Sequence, residues 1–136
     1  MGMYTEISFR ANLIKEVPEQ VTDILKIIIY GAEDLPKDGL PDHELFACDR
    51  WEALGHHGSY YLPNAGQSEL SLPLYHWETP VAALHGNLKN YDQEIEKFFD
   101  WIDPYVENSK GTFLGYSLYE EHQYINTPGP TLYFKK

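Results

Sequence analysis

Residues 6–13 alternate strictly, with Ile7, Phe9, Ala11 and Leu13 on one side and Glu6, Ser8, Arg10 and Asn12 on the other. A period of two over that length specifies a strand with one dry face. The chain must therefore supply a second layer to cover it. The next segment does so. Val21, Ile24, Leu25 and Ile28 recur at i, i+3, i+4 and i+7, Pro18 stands where a first helical turn tolerates proline, and Gly31 ends the run.

The same reading extends along the chain. Residues 32–43 form a loop rich in turn residues. Residues 44–54 are expected to form one short helix, with Asp42 as its N-cap and Leu45, Cys48 and Trp51 or Leu54 facing inward. Short strands are expected at 59–62 and 68–75, the second at a sheet edge because Pro73 lacks an amide donor. A further strand follows at 81–89. Asn90 and Gln93 have capping-box spacing. They precede a helix over 91–103 whose apolar face is Ile95, Phe98, Phe99 and Ile102, extended by Tyr91, and which Pro104 terminates. Strands at 112–119 and 131–134 complete the order. Alternating strands have unlike faces, which favours an antiparallel sheet. The expected fold is a single α+β domain of residues 1–136: a two-layer structure with a mainly antiparallel sheet of about five to six strands, two longer helices and one short helix.

Composition narrows the class. At 136 residues with 43% hydrophobic content, the chain can bury a core without metal or disulfide. The single Cys48 fits a reducing compartment. The N-terminus lacks a basic segment followed by an apolar run, and no apolar stretch approaches the roughly 20 residues of a membrane span. A cytoplasmic location is expected, with no cofactor, no membrane and no nucleic acid as partner.

Recognised catalytic signatures are absent. The chain has no G-x-G-x-x-G, no G-x-x-x-x-G-K-[ST] and no G-x-S-x-G. Cys48 with His43 or His57 as base is a conceivable nucleophile, but a lone cysteine on a helix is more often a small buried group. Six histidines make metal binding the better chemical alternative. His56 and His57 in one loop and Glu120, Glu121 and His122 in another are ligand types that zinc or iron accepts. No H-E-x-x-H or H-x-H spacing supports it, and adjacent histidines point apart.

The net charge of −11 is concentrated. Residues 33–52 hold seven acids against two cations, and residues 92–107 hold six against one. Within the second stretch Asp92, Glu96, Asp100 and Asp103 share one helical face, about 80° wide and about 110° from the apolar face. Like charges at i, i+4 cost an isolated helix roughly 0.2–0.5 kcal/mol each. Asp103 also stands at the unfavourable end of the dipole. Rules broken without local gain mark places where function is to be sought. Such a field repels nucleic acid and anionic membrane and attracts basic protein surfaces. Imitation of DNA would need a second acidic row, which residues 33–52 supply only if they fold alongside. Eleven tyrosines, among them Tyr116 and Tyr119 in one strand, add contact area at low entropic cost.

The stretches Asn87-Leu88-Lys89-Asn90-Tyr91-Asp92-Gln93-Glu94-Ile95-Glu96-Lys97-Phe98 and Gly115-Tyr116-Ser117-Leu118-Tyr119-Glu120-Glu121, with Asp49-Arg50-Trp51 and the opening Tyr4 to Phe9, resemble small bacteriophage and mobile-element proteins of uncharacterised function. That resemblance implies a phage context and host cytoplasm, and transfers no functional residue.

Taken together, the sequence reads as a non-enzymatic acidic domain that binds a basic protein surface through Asp92, Glu96, Asp100, Asp103, Tyr116 and Tyr119. The alternatives are a metal-binding domain or metal-dependent enzyme built on His56, His57, Glu120, Glu121 and His122, and a structural protein that self-associates, as a homodimer, through a tyrosine-rich sheet.

Overall fold

A computed structural model describes residues 3–58, 66–120 and 129–136. Its elements are β1 (Thr5–Asn12), α1 (Glu19–Tyr30), β2 (Glu69–Ser71), β3 (Val81–Leu88), α2 (Glu94–Ile102), β4 (Phe113–Tyr119) and β5 (Thr131–Phe134). Three short 3-10 segments, Glu44–Ala47, Trp51–Gly55 and Asp103–Tyr105, join them. The strands form one sheet in the order β2-β3-β1-β4-β5, and every pairing is antiparallel. The α+β, mainly antiparallel architecture read from the sequence is the one observed. The strand expected at 59–62 lies outside the described residues.

The first strand occupies the centre of the sheet. Ile7, Phe9 and Ala11 are buried as the alternation requires. Both helices and the 3-10 segments cover that face. α1 contributes Val21, Ile24, Leu25 and Ile28, all buried, and ends at Gly31 in the left-handed region (φ 71°), where a residue with Cβ is disfavoured. α2 contributes Ile95, Phe98, Phe99 and Ile102. Phe9 meets the edges of Phe98 and Phe99, with ring centroids 5.1 Å and 5.6 Å apart, the T-shaped geometry that aromatic quadrupoles favour. α2 carries the chain from β3 to β4, which lie parallel to each other on either side of β1.

Several local expectations are corrected. Residues 44–54 form two 3-10 segments separated by a turn rather than one helix. Leu45, Cys48, Trp51 and Leu54 nevertheless all face inward. The cap of the first segment is His43, whose Nδ1 accepts from the Leu45 amide at 3.0 Å, not Asp42. β2 holds only three residues, at the edge position that Pro73 implied. α2 starts at Glu94, after Gln93 in the left-handed region (φ 60°), so Asn90 and Gln93 make no capping box. Asn90 caps from further out, its Oδ1 accepting from the Ile95 amide at 2.9 Å. Tyr91 does not extend the apolar face. It is exposed and lies under the Arg50 guanidinium, 5.2 Å from its ring centre. Pro104 ends the α-helix as expected, and the chain tightens there into the 3-10 turn Asp103–Tyr105.

Candidate functional site

The two acidic segments meet. The loop and 3-10 turn around Glu44–Ala47 pack on α2, and two side chains make the joint. One is His43. Its Nδ1 is occupied as an acceptor by the Leu45 amide, so Nε2 carries the proton and donates to Asp100 Oδ2 at 2.9 Å. A neutral imidazole satisfies both bonds, and the contact is better described as a hydrogen bond than as an ion pair. It is also the first cause, ahead of Lys136, that holds the Asp100 carboxyl below the ordinary carboxylate range. The other joint is Cys48. Its sulfur lies 3.5 Å from the Glu44 carbonyl and 3.7 Å from the Asp92 carbonyl, and accepts from Lys97 Nζ at 3.5 Å. Burial raises this thiol, and the Lys97 charge only partly opposes that. Cys48 is thus a small buried group.

Two of the three cations of these segments are engaged by neighbouring side chains, and the third, Lys37, is exposed. Lys97 is spent on Cys48 and Arg50 on Tyr91. Six acids turn outward, Asp42, Glu44, Asp49, Glu52, Asp92 and Glu96, whereas Glu94 and Asp103 are buried. The result is an acidic surface assembled from both segments.

The four-residue stripe on α2 does not act as one unit. Asp92 is exposed at its start. Glu96 Oε1 accepts from Asn90 Nδ2 at 2.7 Å. Asp100 is held by His43 and by Lys136 Nζ at 3.1 Å. Asp103 is buried, 3.0 Å from Lys135 Nζ and 3.0 Å from the Lys136 amide. The wrong-end aspartate of the helix therefore has a structural partner in the basic C-terminus. Tyr133 continues the clamp by stacking on Phe99 at 3.9 Å and 6°. Two carboxylates that the sequence offered to a partner thus already hold the chain's own tail.

Tyr116 and Tyr119 lie in β4, away from that surface. Tyr116 pairs with Ser8 on the sheet face opposite the helices. Burial, then the nearby Glu6 charge, raises its phenol above the ordinary value. Tyr119 pairs with Thr5 and is half-buried. Of the metal-ligand candidates, His56 is exposed beside a surface cavity and His57 bridges to Asn87 beside β3. Glu120 Oε1 accepts from the Tyr4 amide at 3.0 Å. Glu121 and His122 lie outside the described residues. Among the described residues no three His, Cys, Asp or Glu are placed to hold a metal ion.

Two groupings were missed. Ser8 Oγ and His85 Nδ1 lie 3.2 Å apart on the face that carries Tyr116, and burial lowers the His85 pKa. Neither residue had a motif to announce it, because cross-strand neighbours have no fixed spacing in sequence. The second is the Lys135-Lys136 clamp. Two adjacent cations in a chain of net charge −11 were a usable signal. Comparison with protein-family models, with curated proteins and with solved structures returns no match. No helix among the described residues is long and apolar enough to cross a membrane.

Proposed function

We propose that this protein is a non-enzymatic binding domain that presents an acidic surface to a basic protein partner. One observation supports the reading: the acidic segments 33–52 and 92–107, far apart in sequence, adjoin through His43–Asp100 and Cys48–Asp92. Surface acids scattered for solubility have no reason to be gathered in this way. The partner-facing set narrows to Glu44, Asp49, Asp92 and Glu96, since Asp100 and Asp103 hold the C-terminus. In the phage setting that the sequence resembles, the partner is a host protein met in the cytoplasm.

The test is affinity capture from host lysate at low and high salt, with wild type beside Glu44→Lys/Asp92→Lys. Both residues are exposed, so folding is preserved. Loss of a specific captured protein in the variant and at high salt is expected, because exposed charges are screened within about 10 Å at 0.1 M. The same proteins captured by both chains, with no salt dependence, would refute the reading.

A further inference from the structure

The 3-10 turn Trp51–Gly55 packs against α1. Glycine at 55 permits this, because a Cβ there would overlap the Ile28 carbonyl oxygen. At the other side Gly31 turns the chain out of the helix into the acidic loop. Glu33 and Glu52, the first and last acids of segment 33–52, are thereby brought to one open cavity at the end of α1. Its volume is about 400 Å³, within the roughly 300–1,000 Å³ of small-ligand sites.

The lining has two chemistries. Ile27, Ala32 and Leu35 form an apolar side, and Glu33, Glu52 and His56 a polar one. Among the described residues no Lys or Arg lines the cavity, and neither glutamate takes part in an ion pair. The helix adds to the field. The last turn of α1 carries no basic residue, so the negative end of its dipole meets the cavity without a cation. Two carboxylates and a helix C-terminus favour a positive charge. An apolar wall beside them favours a charge carried on an aliphatic stem, the form in which Lys and Arg cover apolar surface. An anion is repelled here, and an uncharged apolar group would desolvate the carboxylates without pairing them. A guanidinium, with N–H donors fixed in a fork, can meet both carboxylates at once.

We infer that this cavity seats an alkylguanidinium or alkylammonium group, supplied by an Arg or Lys side chain of the basic partner. The inference rests on the acidic-surface reading, since segment 33–52 belongs to both, and it adds the point at which the partner is anchored. Arg is among the residue types that anchor interfaces.

NMR of the full chain, titrated with N-acetyl-arginine-N-methylamide, tests the cavity itself. The Ile27, Ala32 and Leu35 signals shift and saturate in the millimolar range. Capped norleucine, which keeps an aliphatic stem and lacks the charge, binds at least about tenfold more weakly. Glu33→Gln/Glu52→Gln, both at exposed positions, also weakens the arginine probe at least about tenfold, with the rest of the spectrum unchanged. No shift of these signals overturns the inference, and so does equal binding by capped norleucine or by the double variant. The source of the cation is read from the protein that wild type captures from host lysate. Its binding to Glu33→Gln/Glu52→Gln falls at least about tenfold if an Arg or Lys side chain is the anchor. Equal binding by both chains overturns that source and assigns the cavity to a free alkylguanidine or alkylamine. Glu44→Lys/Asp92→Lys separates the two readings. Capture that depends on those residues while the probe fails to bind overturns the anchor alone. A probe that binds while capture is indifferent to them overturns the acidic surface and, with it, the side-chain source.

Discussion

Lys135 reaches from the end of β5 to the end of α2, where its Nζ lies 3.0 Å from Asp103 Oδ2 and 2.9 Å from the Asp103 carbonyl. Both side chains are largely withdrawn from water, at 17% and 13% exposure. The carbonyl belongs to the helix terminus, whose dipole favours a cation. An acid at the wrong end of a helix is thereby made part of a lock that fastens the last strand.

Asp103→Ala removes the carboxylate that accepts from Lys135 Nζ and from the Lys136 amide, and leaves Lys135 Nζ only the backbone carbonyl. A loss of about 1.5–3 kcal/mol is expected, the range for hydrogen bonds to charged groups. Urea unfolding checks it: the midpoint falls with an unchanged m-value. A variant as stable as wild type would show that the lock contributes nothing.

Asp100 is expected to titrate below the ordinary carboxylate value of about 3.9, and to move back up in His43→Ala. The sign follows from linkage. A depressed folded-state pKa contributes stability that is present above the unfolded value and is lost as pH falls through the folded one. At 60% exposure the contribution stays below about 1 kcal/mol. Carbon-detected NMR titration reads the shift directly. Identical Asp100 titration in both proteins would remove His43 as its cause.

Asn90→Ala is expected to cost about 1 kcal/mol, as loss of a helix cap does, because the Ile95 amide loses its acceptor and Glu96 its donor. Thermal unfolding measures this. Asn90→Asp keeps the acceptor and should recover most of the loss, whereas Asn90→Leu should not.

Cys48 should alkylate slowly near neutral pH in the folded protein and rapidly in denaturant, because burial holds the thiol protonated. Lys97→Met removes the one cation that opposes this, so the native reaction should slow further. Mass spectrometry of the alkylated chain gives both rates. Faster labelling in Lys97→Met would contradict the assigned role of Lys97.

The apolar pattern carried most of the architecture. Ile7 to Leu13 marked the central strand, and the faces of α1 and α2 were legible because each has one environment along its length. Failures fell where local residues answered to distant ones. Tyr91 left the apolar face because α2 begins only at Glu94, after Gln93 in the left-handed region, and the ring lies instead under Arg50, forty-one positions earlier. His43 displaced Asp42 as a cap because its second nitrogen is held by Asp100. The acidic stripe was real as a helical face. Its division into partner-facing and tail-holding carboxylates depended on where β5 docks, which no spacing within α2 encodes.

The place of β1 in the sheet bears on how the chain comes into being. Thr5 pairs with Leu88 on one side and with Tyr119 on the other. On the ribosome this strand emerges before both of its partners, and its second edge waits for β4, about a hundred residues later. Sheets closed by such distant pairs form slowly, and an unpaired apolar strand invites pairing with other chains. A chain cut short before Phe113 would retain the strand without one of its two neighbours. Solubility of such truncations, and not the stability of the finished fold, is where the cost of this topology falls.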